Sequence, residues 1–420
     1  MSRRIGAMVF IYICTCAAWV ILGAVTTLRT ETQDLKLKED VGRLWGTIQR
    51  QQAPSVFDHR REVDRRYEST ESGEKVIETR VDTVYRETTL ESSDIKVNLN
   101  LTHRKKGLLW YSTYVVAFHG RYVIRNSTDA NRDMYFQYVF PSQAGIYDDF
   151  TLTVNGEAVR DLRPRSGKIN QTVNLNPGQE ASIEITYRSQ GMDEWWYVLG
   201  SSVSQIRDFR LVMATDFAGI DFPDNSMSPT QKKRIGEGWE LTWQYSNLIS
   251  GIQIGMDLPQ RLNPGPFVGR ITFFAPVSLF LFLFLMFIIT TMREIRIHPM
   301  NYFFISAAFF AFHLLLAYLA DHINIYLAVI ICSVVSIFLV TSYMRMVVGL
   351  KFALVETGLS QFVYLVLFSC AFFLEGYTGL TIAIMCVLTL FVVMQYTGRI
   401  DWEKQLARTD QRSSMNKNVT

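Results

Sequence analysis

Between residues 29 and 266 the chain has no cysteine. All five cysteines, Cys14, Cys16, Cys332, Cys370 and Cys386, lie inside apolar runs, where a thiol behaves as a small hydrophobe. No CxxC and no Cys/His spacing suited to zinc occurs, and Cys14 and Cys16, two apart on a helix, point in different directions. The central segment therefore depends on its own apolar core, which its length of more than 200 residues allows. Charge of one sign is also missing. The net charge is +3 and no basic run marks a groove reader, which sets nucleic acid aside as a partner. There is no GxSxG, HExxH, P-loop or Ser-His-Asp order, so no catalytic motif and no cofactor is implied.

Long uncharged apolar runs are what the chain does have. Residues 5–28 and about 267–397 are dominated by Phe, Leu, Ile, Val and Ala. A run of 18 or more such residues crosses about 30 Å of hydrocarbon as a helix. The first run, IGAMVFIYICTCAAWVILGAVTTL, follows Arg3 and Arg4. Its 24 residues exceed the apolar core of a cleaved signal peptide, so it reads as an uncleaved signal anchor. Five further spans are expected near 270–291, 301–320, 325–344, 358–374 and 378–396. Arg293 and Arg296, then Arg345 and Lys351, then Arg399, Lys404 and Arg408 fall in alternate gaps. The intervening gaps, Asp321–Asn324 and Glu375–Tyr377, hold no Lys or Arg. Under the positive-inside rule this alternation predicts both termini in the cytoplasm and residues 29–266 outside it.

The loop REIRIHPMNYFF (293–304) is then cytoplasmic, held by its arginines. Pro299, lacking an N–H, suits the first turn of the third span, and the residue before it, His298, marks the break between helices. His298 reads as geometry rather than chemistry, because no second His, Cys or carboxylate stands at ligand spacing.

The segment 34–52 reads as an amphipathic helix with Leu37, Val41, Leu44, Trp45 and Ile48 on one face, ended by Pro54 and packed under the domain. From about residue 74 the period changes to two. TLTVNGEAV (151–159) predicts a hairpin through Asn155-Gly156, and TVNLNPGQEASIEITY (172–187) repeats that pattern around Asn176–Gln179. MYFQYVF, STYVVAF, FRLVMA and GWELTWQYS are further strands, whereas 220–236 reads as a long loop. The expected fold is a membrane protein of six transmembrane helices, with a large extracytoplasmic antiparallel β-sandwich inserted between the first and second. Its parts are the anchor (1–28), the β-rich domain (29–266), a five-helix bundle (267–398) and a cytoplasmic tail (399–420).

RIHPMNYFF followed by FHLLLAYLADH resembles the Arg-Leu-His-Pro loop and Leu-rich third span of the CreD family of bacterial inner-membrane, cell-envelope-integrity proteins. Gly398-Arg399-Ile400-Asp401-Trp402 is similar to that family's basic-Asp-Trp sequence past the last span, and LEGY (374–377) to its Leu-Glu-Asp-Tyr turn. VGRLWGTIQRQQAP (41–54), RKKGLLWYSTYVVAFHGRY (104–122) and GEGWELTWQYSNL (236–248) have counterparts in the same order. Ala53, His313 and Gly376 depart from the family pattern, which has glycine, an aromatic and an acid there. The resemblance implies an inner-membrane protein with a periplasmic domain, linked to envelope stress and tolerance of membrane-directed toxins. It implies no catalytic residue.

Three groups of residues carry functional expectations beside plainer ones. His313 lies deep in a span, where a polar side chain is costly; it is either functional or a neutral histidine bonded to a neighbouring carbonyl or hydroxyl. Arg345, Lys351 and Glu356 are placed at cytoplasmic helix ends, so no acid is expected in mid-span. Asp321, His322 and Glu375 share the outer mouth of the bundle, as a docking platform for the domain or as polar helix terminators. Asp193, Glu194, Trp195 and Trp196, followed by Tyr197, combine acids with aromatics, as in a saccharide site or a strand start. The leading expectation is a non-enzymatic scaffold or sensor, whose partners are the lipid bilayer and an envelope protein or ligand of unknown identity. A transporter or lipid-handling protein, with a polar cavity around His313, and an envelope hydrolase working through 193–197 are the alternatives.

Overall fold

The computed structural model describes residues 2–70, 73–107, 109–200, 204–295, 297–374 and 376–398 of the 420. Chain contacts divide it into two units, residues 1–35 with 262–420, and residues 36–261.

Six helices among the described residues are long and apolar enough to span a membrane. They are α1 (Ser2–Trp45), α2 (Pro264–Met292), α3 (Pro299–Leu319), α4 (Ile325–Val347), α5 (Phe352–Phe373) and α6 (Thr378–Thr397). The bundle is inside-out in its chemistry. Val334, Phe338, Val387 and Phe391 are exposed, as lipid-facing side chains are, while Phe282, Phe309, Phe312 and Leu316 pack inward. At the start of α3, His298 is the N-cap: its ring Nδ1 accepts from the backbone N–H of Met300 at 3.2 Å, and Pro299 follows in the first turn. His298 thus serves as a helix cap.

One helix departs from its expected bounds and shape. α5 begins at Phe352, not near 358, and two of its stretches, Phe352–Gly358 and Phe362–Leu367, are wound as π-helix. Such wide turns are rare and shift side chains relative to the α-helical register.

The unit of residues 36–261 is built from β1 (Gln49–Gln52), β2 (Ser55–Thr70), β3 (Gly73–Thr88), β4 (Ser92–Lys106), β5 (Leu109–Arg125), β6 (Arg132–Val139), β7 (Tyr147–Val154), β8 (Glu157–Ala158), β9 (Lys168–Leu175), β10 (Glu180–Met192), β11 (Glu194–Val198), β12 (Ser204–Thr215), β13 (Gln231–Ile235), β14 (Gly238–Ser250) and β15 (Ile254–Asp257). They form three open sheets of order β13-β14-β12-β4-β5-β10-β7-β8, β3-β2-β6-β9 and β1-β11-β15. Alternate residues of all three sheets, among them Ile95, Phe118, Ile185, Phe136, Trp195 and Met256, meet in one core. The sandwich expectation holds, but the sheets are mixed: β12 pairs with β4, and β1 with β11, in parallel.

Three local expectations are corrected. The helix of 34–52 stops at Trp45 rather than at Pro54. Gly46 ends it with φ +126°, its N–H bonded to Gly42 O at 3.0 Å, and the chain turns into β1. Leu37, Val41 and Trp45 pack on Leu109, Tyr111 and Met192, whereas Leu44 is exposed. The Asn155-Gly156 hairpin is present, both residues at positive φ. The turn at Asn176–Gln179, however, makes no hairpin, because β9 pairs with β6 and β10 with β5 and β7 in another sheet. Residues 231–235, expected in a loop, form the edge strand β13; Lys232, Lys233 and Arg234 blunt that edge with charge.

β1 explains why glutamines follow the anchor. Gln49 and Gln51 are buried. Gln51 Oε1 accepts from the phenols of Tyr138 at 2.6 Å and Tyr187 at 2.9 Å, while Gln49 Nε2 donates to Ser189 Oγ at 2.7 Å and Gln190 O at 2.6 Å. Burial pushes both phenols well above their ordinary pKa, so they remain protonated donors.

Candidate functional site

Lipid cannot hydrate a polar group, so polar side chains inside the bundle either bond to one another or to the backbone, or are costly. The helices bring several of them together midway along their length. Ser278 of α2 bonds to the carbonyl of Tyr364 in α5. Gln361 Nε2 of α5 donates to Ser336 Oγ of α4 at 2.9 Å, and Ser336 Oγ donates to Ala308 O of α3 at 2.9 Å. The Tyr364 hydroxyl lies 2.8 Å from Thr389 Oγ1 of α6. One polar layer thus ties five helices together, and α5, the π-wound one, supplies two of its members. Sequence reasoning missed this layer, since Ser, Thr, Gln and Tyr scattered through apolar runs look like ordinary interruptions. The nearest signal was TGLSQ at 357–361, the least apolar part of its span.

Glu356 keeps its expected place near the start of its helix, but its side chain is turned inward. It lies within α5, its side chain only 9% exposed, and its Oε1 is 2.5 Å from the Arg293 guanidinium at the end of α2. Arg293 thus has a partner in the bundle as well as a place in the basic loop. Arg296 of that loop lies outside the described residues.

The sequence-predicted residues separate. His313 is buried, its Nδ1 3.3 Å from Phe309 O, with Trp19, Phe312 and Phe309 around it. Its surroundings are aromatic, and the polar layer is made by other residues. Asp321 is paired with Arg29 of α1 in the same unit, and His322 closes the α3–α4 turn through its N–H to Leu319 O at 3.0 Å. Glu375, Arg399, Asp401 and Trp402 lie outside the described residues.

The 193–197 cluster is folded inward. Asp193, at φ +65°, turns the chain from β10 into β11. Trp195 and Tyr197 are fully buried and Trp196 is 7% exposed. Asp193 lies 2.6 Å from Lys38 Nζ; Glu194 accepts from Trp196 Nε1 at 2.7 Å and lies 3.6 Å from Arg50. The rings therefore form core, not a stacking platform, and the strand-start reading of these residues is the one the geometry fits.

Opposite Glu194 in the ladder stands Asp257, bridged in turn to Asp221. Partial burial, and then the carboxylates of Glu194, Asp221, Asp193 and Asp224, raise the Asp257 pKa above its ordinary 3.8. Lys38 and Arg50, facing Asp193 and Glu194, offset only part of that field. A carboxyl whose folded pKa is raised binds its proton more tightly in the folded chain. Its stabilising contribution is complete below the ordinary value and is lost as pH rises through the folded value. Asp257→Asn is expected to raise the melting temperature at pH 7, with the gain disappearing as the pH approaches the ordinary carboxylate range. Melting curves of both proteins across that interval check it; an equal gain at all pH values would point to packing instead.

The stretch from β15 to the tail can now be compared with known proteins. Residues 253–403 match the family described as inner membrane protein CreD. Over that stretch the chain is similar to a multi-pass inner-membrane family, and its six apolar helices are long enough for such a protein. The CreD match takes in α2 to α6, and with them the whole polar layer and the Arg293–Glu356 pair. No curated protein matches the chain. Among solved structures, a putative nutrient binding protein from Legionella pneumophila is 12% identical, covering 46% of this chain and 74% of that one, with a TM-score of 0.27. An M1 zinc metallopeptidase from Deinococcus radiodurans is 10% identical, covering 40% of this chain and 42% of that one, at 0.24. Likenesses at such scores support no conclusion about the CreD-like chain.

Proposed function

We propose that this protein is a non-enzymatic scaffold or sensor of the bacterial envelope, its β-rich unit in the periplasm and both termini in the cytoplasm. In that role it supports resistance to envelope stress and to membrane-directed toxins. The observation that carries the reading is the inward folding of the Asp193–Tyr197 cluster. The acids and aromatics that a saccharide hydrolase would present to substrate are engaged in ion pairs and core. What remains is a β-rich unit whose chain enters from one span and leaves through another, an arrangement suited to reporting on or bracing the envelope.

The test has two arms. Gln179 is exposed in a turn of the β-rich unit and Lys351 is exposed between α4 and α5. In intact cells permeabilised only at the outer membrane, an impermeant maleimide is expected to label Gln179→Cys above the wild-type background and Lys351→Cys only after lysis. The reverse pattern would overturn the orientation. A deletion strain is expected to lose viability under detergent and toxin challenge, with site-directed crosslinks from the β-rich unit capturing an envelope component. Unchanged survival on deletion and on overproduction would remove the envelope-integrity role.

A further inference from the structure

The mid-bundle layer has one feature that its internal bonds leave over. Ser336 donates its single hydroxyl proton to Ala308 O, so toward Gln361 it can only accept. That fixes the Gln361 amide: the nitrogen faces Ser336 and Oε1 faces elsewhere. Gln361 is fully buried, and among the described residues Oε1 receives no hydrogen bond. Thr357 Oγ1, also fully buried, has no partner there either, nor does Glu356 Oε2, although Oε1 of the same carboxylate is paired with Arg293. These residues stand four and five positions apart on α5. Phe352–Gly358 is wound as π-helix and Leu359–Gln361 as α-helix, so about one helical turn separates Gln361 from Thr357 and Glu356.

Three buried, uncommitted oxygens within about one turn of the same helix, one from an amide, one from a hydroxyl and one from a carboxylate, are a set of hard ligands. An unpaired polar group inside a bilayer is costly, so together they favour a positively charged occupant. In transporters, ion sites are built where a membrane helix departs from regular winding, as α5 does over Phe352–Gly358. The charge of the site sets the valence. Glu356 is the single carboxylate and Arg293 already offsets part of it, and no group of three His, Cys, Asp or Glu suited to a metal ion exists among the described residues.

We propose that α5 binds a small monovalent cation through Gln361 Oε1, Thr357 Oγ1 and Glu356 Oε2, with Na+ as the probe. The site goes beyond the scaffold reading and does not depend on it. Occupancy links the ionic state of the membrane to the packing of α2, α4 and α5, because the ligands sit on the helix that holds those three together.

The experiment uses the full-length protein purified in detergent without sodium. Melting temperature is followed as NaCl replaces choline chloride at constant ionic strength, and bound radioactive sodium is counted by equilibrium dialysis. The site predicts a saturable rise in melting temperature with Na+ and one ion bound per chain. Thr357→Val, nearly isosteric, and Gln361→Ala should each weaken binding tenfold or more. Should Gln361→Ala fail to fold, Thr357→Val decides alone. Identical melting in choline and sodium, no bound sodium, or binding unchanged in Thr357→Val would overturn the proposal. Because none of these readouts involves survival of cells, their failure leaves the envelope role standing, and the failure of that role leaves the site standing.

Discussion

Gly46→Ala is expected to destabilise the β-rich unit by roughly 3–5 kcal/mol. Two costs combine at this corner. The backbone there has φ +126°, a conformation that charges an L side chain on the order of 1–3 kcal/mol. A Cβ at Gly46 would also stand 2.2 Å from Gln190 O, a backbone atom of β10 that cannot swing aside. Forcing a core apart to admit a methyl group costs about 1–3 kcal/mol more. Gln190 O is also the acceptor for Gln49 Nε2, so moving it disturbs the buried start of β1. For a unit of this size, such a loss lowers the melting temperature by on the order of 10 °C. Calorimetry of the full-length protein, with limited proteolysis to locate the transition in residues 36–261, measures it. A drop of under about 1 kcal/mol would mean that the corner relaxes and that glycine is dispensable there.

That corner also shows where reading the sequence stopped. Hydropathy reported all six apolar helices, though α2 and α5 start earlier than expected, because nothing but a bilayer rewards so many consecutive apolar side chains. Asn155-Gly156 reported its hairpin because only such a pair tolerates two positive φ angles in a row. Periodicity carried the helix through Gln49–Gln52, since a buried glutamine and an exposed one are the same letter; only the tyrosines that arrive from β6 and β10 decide which it is. Asn176–Gln179 looked like a second hairpin because a turn is local, whereas the choice of sheet for the strands on either side is not. Ser55–Thr70 escaped notice as a strand because its charged sequence carries no apolar alternation, and its long ladder with β3 supplies the pairing instead. Glu356 was placed at a helix end, where it is found, but its inward turn was not legible. Its partner, Arg293 at the end of α2, is more than sixty positions away. In each case the missing information was a tertiary partner.

Trp195→Ala carries the second large effect and separates the core reading of residues 193–197 from a carbohydrate one. Trp195 is fully buried in the central strand of the β1-β11-β15 sheet, opposite Gln49 on one side and Met256 on the other. Truncating a buried tryptophan to alanine costs about 3–5 kcal/mol through lost apolar burial and the cavity left behind. Trp195 Nε1 has no hydrogen-bond partner among the described residues, so the ring contributes as a hydrophobe carrying one unpaired donor. Trp195→Phe keeps most of the apolar surface and removes that donor, offsetting part of the lost volume. It should therefore cost far less than the alanine, on the order of 1 kcal/mol. The expected pattern is a melting temperature lowered by roughly 10 °C for Trp195→Ala and by a few degrees at most for Trp195→Phe. A ring that stacked on sugar from the surface would give the opposite result: near-normal melting in both variants, with retention on peptidoglycan fragments lost in the alanine and kept in the phenylalanine. Melting curves and a pull-down on the same three proteins decide between them. Trp196, whose Nε1 is tied to Glu194 and whose ring lies 4.8 Å beneath Arg50, should respond less steeply than Trp195, because part of its face already meets water.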